Sequence, residues 1–158
     1  MSLSDRELRA AIKNEEFRTI PRVSRINPAG IDLRIDRNLS LSPHSKTLVA
    51  SLERIELSNS LLGILHLRSS LAREGLFASL ALVDPGFRGQ LTVCLYNAGV
   101  RLVNLKRGER FIQLSLLRLG KPSTRDYRGR YQNSRGVVAS RRRRKSYNRR
   151  MESIIQGV

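Results

Sequence analysis

A single carboxylate stands at a sharp break in the chain, where a Pro-Gly pair follows an aspartate. The segment at residues 82–89 has the sequence LVDPGFRG, and an alternating stretch at residues 90–97 follows it. Pro85 fixes its own φ angle and Gly86 leaves its φ free, so Asp84 is predicted to lie on a tight turn at a strand end. Rigid scaffolds often present catalytic groups on such turns, although aspartate is also an ordinary turn residue. Asp84 is therefore a candidate catalytic carboxylate with a structural alternative.

A second group of polar residues precedes this turn, in the sequence LRSSLAREGL at residues 67–76. It places two guanidinium groups and two hydroxyl groups where a strand is expected to turn into the start of a helix. These groups belong to Arg68, Ser69, Ser70 and Arg73. Hydroxyl and free N–H groups at a helix N-terminus suit phosphate oxygens, and arginine adds charge and bidentate geometry. The pattern is typical of phosphate binding, but a capped surface helix with solvated arginines fits it equally well.

The first residues of the chain predict a short helix. Ser4 and Glu7 have the spacing of a capping box, and Leu3 with Leu8 has the spacing of a hydrophobic staple across it. We therefore expect a helix over residues 5–13, and Pro21 prevents a helix from resuming soon after it.

From about residue 26 to residue 119 the pattern changes to short β-strands separated by turn residues. Strands are predicted at residues 30–35, 47–50, 53–57, 61–67, 77–83, 90–97 and 110–119. Many short strands at nearly regular spacing favour a sandwich or barrel over βαβ units. The last residues are polar and basic, with a short helix expected at residues 151–155.

Composition narrows the classes of protein. A chain of 158 residues fits one domain with one core. No run approaches the roughly 20 apolar residues that a membrane helix needs, and the N-terminus lacks the pattern of a signal peptide, so a cytoplasmic protein is expected. With one cysteine and two histidines, neither a disulfide framework nor a zinc site is predicted.

The formal net charge of +17 is concentrated near the C-terminal end. Eleven lysines and arginines lie between Arg125 and Arg150, against one acid, and the densest run is RRRRK at residues 141–145. Such a block attracts polyanions. Nucleic acid is one candidate partner, and a nucleoside triphosphate bound by basic residues nearer the body of the protein is another.

Five segments, in one order along the chain, together resemble the dCTP deaminase family, which shares its fold with the trimeric dUTPases. They are residues 26–34, the RSSLAREGL segment, the VDPGFRG turn, residues 108–114 and residues 131–141. The chain is most similar to a deaminase-like dUTPase of the archaeal type. This resemblance implies a mainly β, distorted barrel or jelly-roll-like dUTPase fold, with a short N-terminal helix and a short helix after the RSSLAR motif.

The same resemblance implies an organisation in three parts. Residues 1–122 would form the β-rich catalytic core, residues 123–141 a C-terminal lid that closes over the triphosphate, and residues 142–158 a basic tail. Members of this fold usually work as homotrimers with active sites between subunits, and Mg²⁺ accompanies the triphosphate. The substrate would be dUTP or dCTP, and nucleic acid would bind at most weakly, through the arginine-rich tail.

The resemblance also implies roles for individual residues. The residues that would hold the phosphates are Arg68, Ser69, Ser70, Arg73 and Gln113, with Tyr127 and Arg130 closing over the terminal phosphate. The backbone around Leu80, Ala81 and Val83 would read the base and the sugar. Asp84 would position the attacking water. Asp32 would assist near the waters of the metal, or would instead make a structural hydrogen bond.

Two departures from the family pattern separate deamination from hydrolysis. Deaminases of this family carry a glutamate on the strand after the turn, where this chain has Cys94, and Ser134 occupies the place of an expected glutamine. Deamination needs a proton carrier between water and the leaving ammonia, and a thiol with an ordinary pKa of about 8.5 is a poor substitute for a carboxyl group. Cys94 is better interpreted as a small buried residue on a strand.

The sequence thus predicts a dUTP diphosphatase, a hydrolase that converts dUTP into dUMP and pyrophosphate and so limits uracil in DNA. Asp84 would orient water, and arginines with Mg²⁺ would neutralise the phosphates. The alternatives are a dCTP deaminase, a bifunctional dCTP deaminase and dUTPase, a nucleotide sensor without catalysis, and a nucleic-acid-binding protein that acts through its tail.

Overall fold

The computed structural model describes residues 1–23 and 25–142 of the chain. The structure is mainly β and contains two short helices, α1 (Asp5–Lys13) and α2 (Ser69–Arg73). The strands are β1 (Phe17–Ile20), β2 (Arg25–Asn27), β3 (Gly30–Arg34), β4 (Leu39–Leu41), β5 (Lys46–Leu57), β6 (Leu61–Leu67), β7 (Leu76–Ser79), β8 (Leu82–Val83), β9 (Arg88–Asn97), β10 (Val103–Leu105) and β11 (Arg110–Arg118). The prediction of a mainly β fold with a short N-terminal helix and a short helix after the arginine–serine motif is confirmed.

The strands form two larger antiparallel sheets and one small one. One sheet has the order β1-β5-β9-β7, the other has the order β2-β3-β11-β6-β8, and β10 pairs with β4. Strands β1 and β2 are thus edges of the two larger sheets, and β7 and β8 are the opposite edges. These sheets remain open among the described residues and do not close into a complete barrel.

One hydrophobic core lies between the larger sheets. On β9 the odd-numbered residues are buried and most even-numbered ones are partly or fully exposed, as period-two alternation requires. Fully buried residues from β3, β5, β9 and β11, among them Ile31, Ile55, Leu95 and Phe111, belong to the same cluster. Burial of these apolar side chains is the main force that holds the sheets together.

The N-terminal segment is bound to β11, the strand that also carries Arg110 and Gln113. The Ser4 hydroxyl accepts from the backbone N–H of Glu7, and the Glu7 carboxylate accepts from the backbone N–H of Ser4 at 2.8 Å, so the capping box is present. The Leu3 N–H donates to the carbonyl of Leu116 in β11. Glu16 forms a bidentate ion pair with Arg118 at the end of the same strand.

Several strand boundaries differ from the expectation. The predicted strands 47–50 and 53–57 are one strand, β5, whose pairing register with β9 shifts between Ala50 and Arg54. A β-bulge of this kind interrupts the alternation of apolar and polar residues, so one strand looks like two in the sequence. The predicted strand 77–83 is in fact split into β7 and β8, which belong to different sheets. The helix expected at residues 151–155 lies outside the described residues.

Candidate functional site

A buried carboxylate organises the first half of the site. Asp32, on β3, is 2% exposed. Its Oδ1 accepts a hydrogen bond from Asn27 Nδ2 at 2.8 Å, and its Oδ2 lies 3.2 Å from Arg110 Nη1 and 3.7 Å from Arg68 Nε. A buried carboxylate is stable only when it is paired and hydrogen-bonded, and here both of its oxygens have partners. Asp32 therefore fixes the two arginines in place.

The pairing of three strands brings further predicted residues to this point. Gln113 on β11 lies opposite Asp32 on β3 and opposite His66 on β6, so the three residues form a row across the sheet. A Cβ atom on Gly30 would lie 2.4 Å from Nε2 of Gln113, so only glycine leaves room for this amide. His66 is exposed. Gln113 is thus held beside the arginine cluster, as its predicted role requires.

The start of α2 completes this half of the site. We call this half the cradle. Its residues are Asp32, Arg68, Ser69, Ser70, Arg73, Arg110 and Gln113. Arg68 is the N-cap residue of α2, and no side chain caps this helix. Ser69 and Ser70 are exposed in the first turn, and Arg73 is exposed in the last. Arginines and hydroxyl groups thus converge with Gln113 at one end of the five-stranded sheet, which suits the oxygens of a polyphosphate.

Asp84 lines a separate cavity of about 370 Å³. The turn that carries it is closed by a hydrogen bond from the Phe87 N–H to the Asp84 carbonyl, and Gly86 adopts a φ of +76°. A Cβ at Gly86 would lie 2.6 Å from Asp126, so both the backbone angle and the available space require glycine. We call this cavity the Asp84 pocket; its lining residues include Ala81, Leu82, Val83, Asp84, Gln90, Thr92, Tyr127 and Tyr131.

Most of the predicted residues around the base lie at this pocket. Ala81 and Val83 line it, whereas Leu80 is 41% exposed and is not among its lining residues. Asp84 is the only carboxylate among the described residues that line the pocket. Cys94 is half-buried on β9, on the same face of that strand as Thr92, and lies opposite Leu48 and Ser79.

The segment after residue 122 folds back over the Asp84 pocket of its own chain. Tyr127 lines the pocket, and its ring packs edge-to-face against Phe87 at a centroid distance of 5.6 Å. Gln132 accepts a hydrogen bond from the Arg88 N–H and donates to the Gly86 carbonyl. Arg130 is exposed, and its guanidinium donates to the carbonyl of Arg141 and does not line the pocket.

Within one chain the cradle and the Asp84 pocket are far apart. Val83 lies opposite Gly63 on β6, so this register places Asp84 opposite Leu62. Arg68 follows Leu62 by six residues along β6, which at about 3.3 Å per residue corresponds to roughly 20 Å. Asp84 and the cradle of one chain are therefore well separated along the sheet.

Sequence reasoning missed two residues that contact Asp32, Arg110 in the cradle and Asn27 next to it. Arg110 lies within the family motif at residues 108–114, and Asn27 lies within the motif at residues 26–34, but neither received a role. Both contact Asp32, one from a neighbouring strand and one from across a hairpin. Their only signal was their presence in the two motifs, since the contacts with Asp32 arise from strand pairing.

The fold is mainly β, with a basic cradle at one end of a sheet and a largely apolar pocket that presents one carboxylate. The family model described as dCTP deaminase-like matches residues 35–119. A dCTP deaminase of Thermococcus kodakarensis is 40% identical over 159 residues, which cover 91% of this chain and 100% of the relative. The chain therefore belongs to the dCTP deaminase-like family and is an enzyme of the dCTP deaminase and dUTPase superfamily.

Other relatives carry dUTPase names. A probable deoxyuridine 5′-triphosphate nucleotidohydrolase of Sulfolobus islandicus rod-shaped virus 1 is 34% identical over 157 residues, which cover 89% of this chain and 99% of the relative. The native EIAV dUTPase superposes with a TM-score of 0.58 at 21% identity, over 70% of this chain and 93% of the other. This structural likeness shows the shared fold.

No helix among the described residues is long and apolar enough to cross a membrane.

Proposed function

We propose that this enzyme is a dUTP diphosphatase that hydrolyses dUTP to dUMP and pyrophosphate, and so keeps uracil out of DNA. The observation that carries the proposal is the composition of the Asp84 pocket. Asp84 is its only carboxylate among the described residues, and Cys94 stands on β9 where the resemblance implies a glutamate in deaminases. One ionised carboxylate can orient a water molecule towards phosphorus, whereas deamination needs an additional proton carrier.

The active site is proposed to form between copies of the chain. Because the cradle and Asp84 are about 20 Å apart along β6 in one chain, the two halves meet only if Asp84 of one copy faces the cradle of another. Exposed apolar side chains on the edge strands β7 and β8 support such an association: Phe77 is 64% exposed, and Leu82, which lines the pocket, is 56% exposed. The proposed assembly contains three copies, the number that the resemblance implies.

Recognition of the substrate is divided between the two halves. The cradle would hold the triphosphate through Arg68, Arg73 and Gln113 together with the hydroxyl groups of α2. The backbone near Ala81 and Val83 would read the edge of the uracil ring. Residues 123–141 would act as the lid, with Tyr127 already at the Asp84 pocket and Arg130 turning in towards the terminal phosphate.

The residues present fit a Mg²⁺ ion that is bound mainly through the triphosphate. Among the described residues, no group of three or more His, Cys, Asp or Glu side chains is placed to hold a metal. Mg²⁺ commonly binds through substrate phosphates and waters with one or two carboxylates, so no protein cage is needed. The ion would neutralise phosphate charge, and Asp32, whose two oxygens already have partners, would act on it only through its arginines or through water.

A dCTP deaminase, alone or bifunctional, is the second candidate, because the relative from Thermococcus kodakarensis is named a dCTP deaminase. The two candidates differ in their products. The deaminase releases ammonia from dCTP, and the diphosphatase releases pyrophosphate from dUTP.

The test is to incubate the protein with Mg²⁺ and either dUTP, dCTP or dTTP, and to follow pyrophosphate and ammonia in parallel. The expected result is pyrophosphate from dUTP with little ammonia from dCTP, and loss of this pyrophosphate in Asp84→Asn. Asp126→Asn is a matched control, because Asp126 lies near the same turn and is not among the lining residues of the pocket. Brisk release of ammonia from dCTP would overturn the proposal, and so would full activity of Asp84→Asn.

A further inference from the structure

A second large cavity lies on the opposite edge of the molecule from the Asp84 pocket. It is an open groove of about 790 Å³, formed where α1 meets the edge strands β1 and β2. It shares no lining residue with the Asp84 pocket, which borders the other edge strand, β8, of the five-stranded sheet. This basic groove is therefore a separate feature from the site proposed for dUTP.

The rim of the basic groove is strongly cationic. Five exposed basic side chains line it, against one carboxylate, Glu15. The five are Arg9, Lys13, Arg18, Arg22 and Arg25. In the part of the chain that the structure describes, none of these five forms an ion pair, whereas Arg68 and Arg110 of the cradle share Asp32. Five like charges gathered around a single carboxylate repel one another, so this arrangement attracts an anionic partner.

The floor of the groove is aliphatic. Ile12, Val23 and Ile26 are half-buried there, and Ile20 is 54% exposed. The one aromatic residue of the described lining, Phe17, is completely buried, so no ring is available for stacking. A ligand that fits this groove therefore combines spaced negative charges with an apolar surface.

We propose that the basic groove binds single-stranded nucleic acid, with phosphates on the cationic rim and sugars and bases against the aliphatic floor. A strand of this kind presents both surfaces at once, whereas a duplex hides its bases. Without an aromatic platform, phosphate contacts dominate, so binding has little sequence preference and a steep dependence on salt.

The charge of the rest of the molecule favours a long polyanion over an acidic peptide. Residues 1–142 contain 25 lysines and arginines against 12 aspartates and glutamates, and further basic residues follow at 143–145. A nucleic acid strand that passes beyond the groove gains from this surplus, whereas a short peptide gains only from the groove itself.

The test measures binding of the full chain to a fluorescently labelled oligothymidine of 20 nucleotides by anisotropy, across a series of salt concentrations. The groove variant is Arg9→Gln, Arg22→Gln and Arg25→Gln in one chain. Loss of three phosphate contacts is expected to reduce the slope of log affinity against log salt by about 2, and to weaken binding at low salt by about tenfold or more.

Two control variants separate the groove from general charge and from the tail. Arg101→Gln, Lys106→Gln and Lys121→Gln remove the same charge from exposed positions outside the groove, and a much smaller change in slope is expected. Arg143→Gln, Arg144→Gln and Lys145→Gln neutralise part of the tail, and the effect of the groove variant is expected to persist in that background. Release of pyrophosphate from dUTP and the thermal unfolding midpoint are measured for every variant and should be unchanged by the groove substitutions.

Three outcomes would overturn the proposal. Equal losses in the groove variant and the exposed-charge control would mean that the groove has no special role. Binding that disappears with the tail substitutions alone would assign it to the tail. The third outcome is a competition result. If an acidic amphipathic peptide displaces the labelled oligonucleotide at lower concentrations than unlabelled oligothymidine does, the preferred partner is a protein. None of these outcomes depends on the activity towards dUTP, so the two proposals can fail separately.

Discussion

The cradle and the Asp84 pocket are built in different ways. The cradle lies on the interior strands β3 and β11 and on the start of α2, which follows the interior strand β6, and a buried carboxylate holds two of its arginines. The Asp84 pocket borders the two-residue edge strand β8, has largely apolar walls and is covered by a segment from the end of the described chain. In the cradle the charges are fixed before substrate arrives, whereas in the pocket one exposed carboxylate faces outward.

Under the proposed function, the cradle binds a polyphosphate and Asp84 orients a water, and these two tasks place different demands on the fold. Binding a polyphosphate requires several cations at fixed distances, and a buried ion-pair network on central strands provides that rigidity. Orienting one water requires a single carboxylate that becomes enclosed when substrate and partner arrive. An edge strand is suited to the second task, because its outer side is free to meet another copy of the chain.

The largest expected effect comes from inactivating the two halves of the site in different copies of the chain. Asp84→Asn removes the group that orients water, and Arg68→Ala removes a cradle cation, so each variant alone should lose at least about 100-fold in release of pyrophosphate from dUTP. If each site takes Asp84 from one copy and Arg68 from a neighbour, trimers reassembled from an equal mixture of the two variants should regain about one quarter of the wild-type activity. Activity is measured after joint unfolding and refolding.

The control for this experiment is a mixture of wild type with the double variant Asp84→Asn and Arg68→Ala. Under the same geometry about one quarter of its sites are intact, whereas about half would be intact if both residues of a site came from one copy. A mixture of the two single variants that stays inactive while this control is active would contradict a site shared between chains.

A smaller effect is expected when the network that holds the cradle is weakened. Asp32→Asn replaces two accepting oxygens by one oxygen and one NH2 group. If the NH2 group faces Arg68 and Arg110, donors face donors; if it faces Asn27, the hydrogen bond from Asn27 is lost. We expect KM for dUTP to rise about tenfold, with a smaller change in kcat, and the free energy of unfolding to fall by about 1–3 kcal/mol. Steady-state kinetics and urea unfolding measure the two effects. Asp5→Asn, at an exposed aspartate in α1, is the control, and an unchanged KM in Asp32→Asn would disprove the role of Asp32.

Substitution of Cys94 tests whether the pocket uses its thiol. Cys94→Ser keeps the size of the side chain and changes its chemistry, and hydrolysis of dUTP is expected to stay within about threefold of wild type. Thr92→Val serves as a comparison. Thr92 is the next residue on the same face of β9, and the substitution removes the hydroxyl that accepts from the Val138 N–H. A loss of 100-fold in Cys94→Ser would show that the thiol takes part in the chemistry.

The smallest expected effect concerns the ion pair between Glu16 and Arg118, which joins the N-terminal segment to the end of β11 away from the cradle. The hydrogen bonds from Arg118 hold the pKa of Glu16 below its ordinary value of 4.5. The folded form therefore gains stability from this carboxylate above pH 4.5, and loses it as the pH falls through the lowered folded pKa.

Glu16→Gln should accordingly unfold at a slightly lower temperature than wild type at pH 7, and the gap should close under acidic conditions. For a partly exposed pair of this kind we expect about 0–1 kcal/mol. Thermal unfolding followed by circular dichroism at pH 7 and pH 3.5 measures it, with Glu74→Gln, an exposed glutamate after α2, as the control. A gap that widens at low pH would have the wrong sign for this explanation.

The local patterns of the sequence were sufficient for the outline of the fold. The capping box at Ser4 and Glu7 predicted α1 at the correct residues, and period-two alternation predicted most of β6, β9 and β11. Strands β1, β2, β4 and β10 were missed because each has only three or four residues, too few to show a period. The continuity of β5 was missed for a different reason: its bulge breaks the alternation of apolar and polar residues by which strands are detected.

By itself, the sequence determined the family, the residue types of the cradle and the carboxylate on its turn, because these depend on local motifs and backbone preferences. The tertiary structure decided that Asp32 is buried between Asn27, Arg68 and Arg110, and that Asp84 lies roughly 20 Å from the cradle of its own chain. It also decided that the basic side chains of α1, β1 and β2 line one groove. These features arise from strand pairing and sheet order, which bring together residues whose separation in the sequence carries no information about their distance in space.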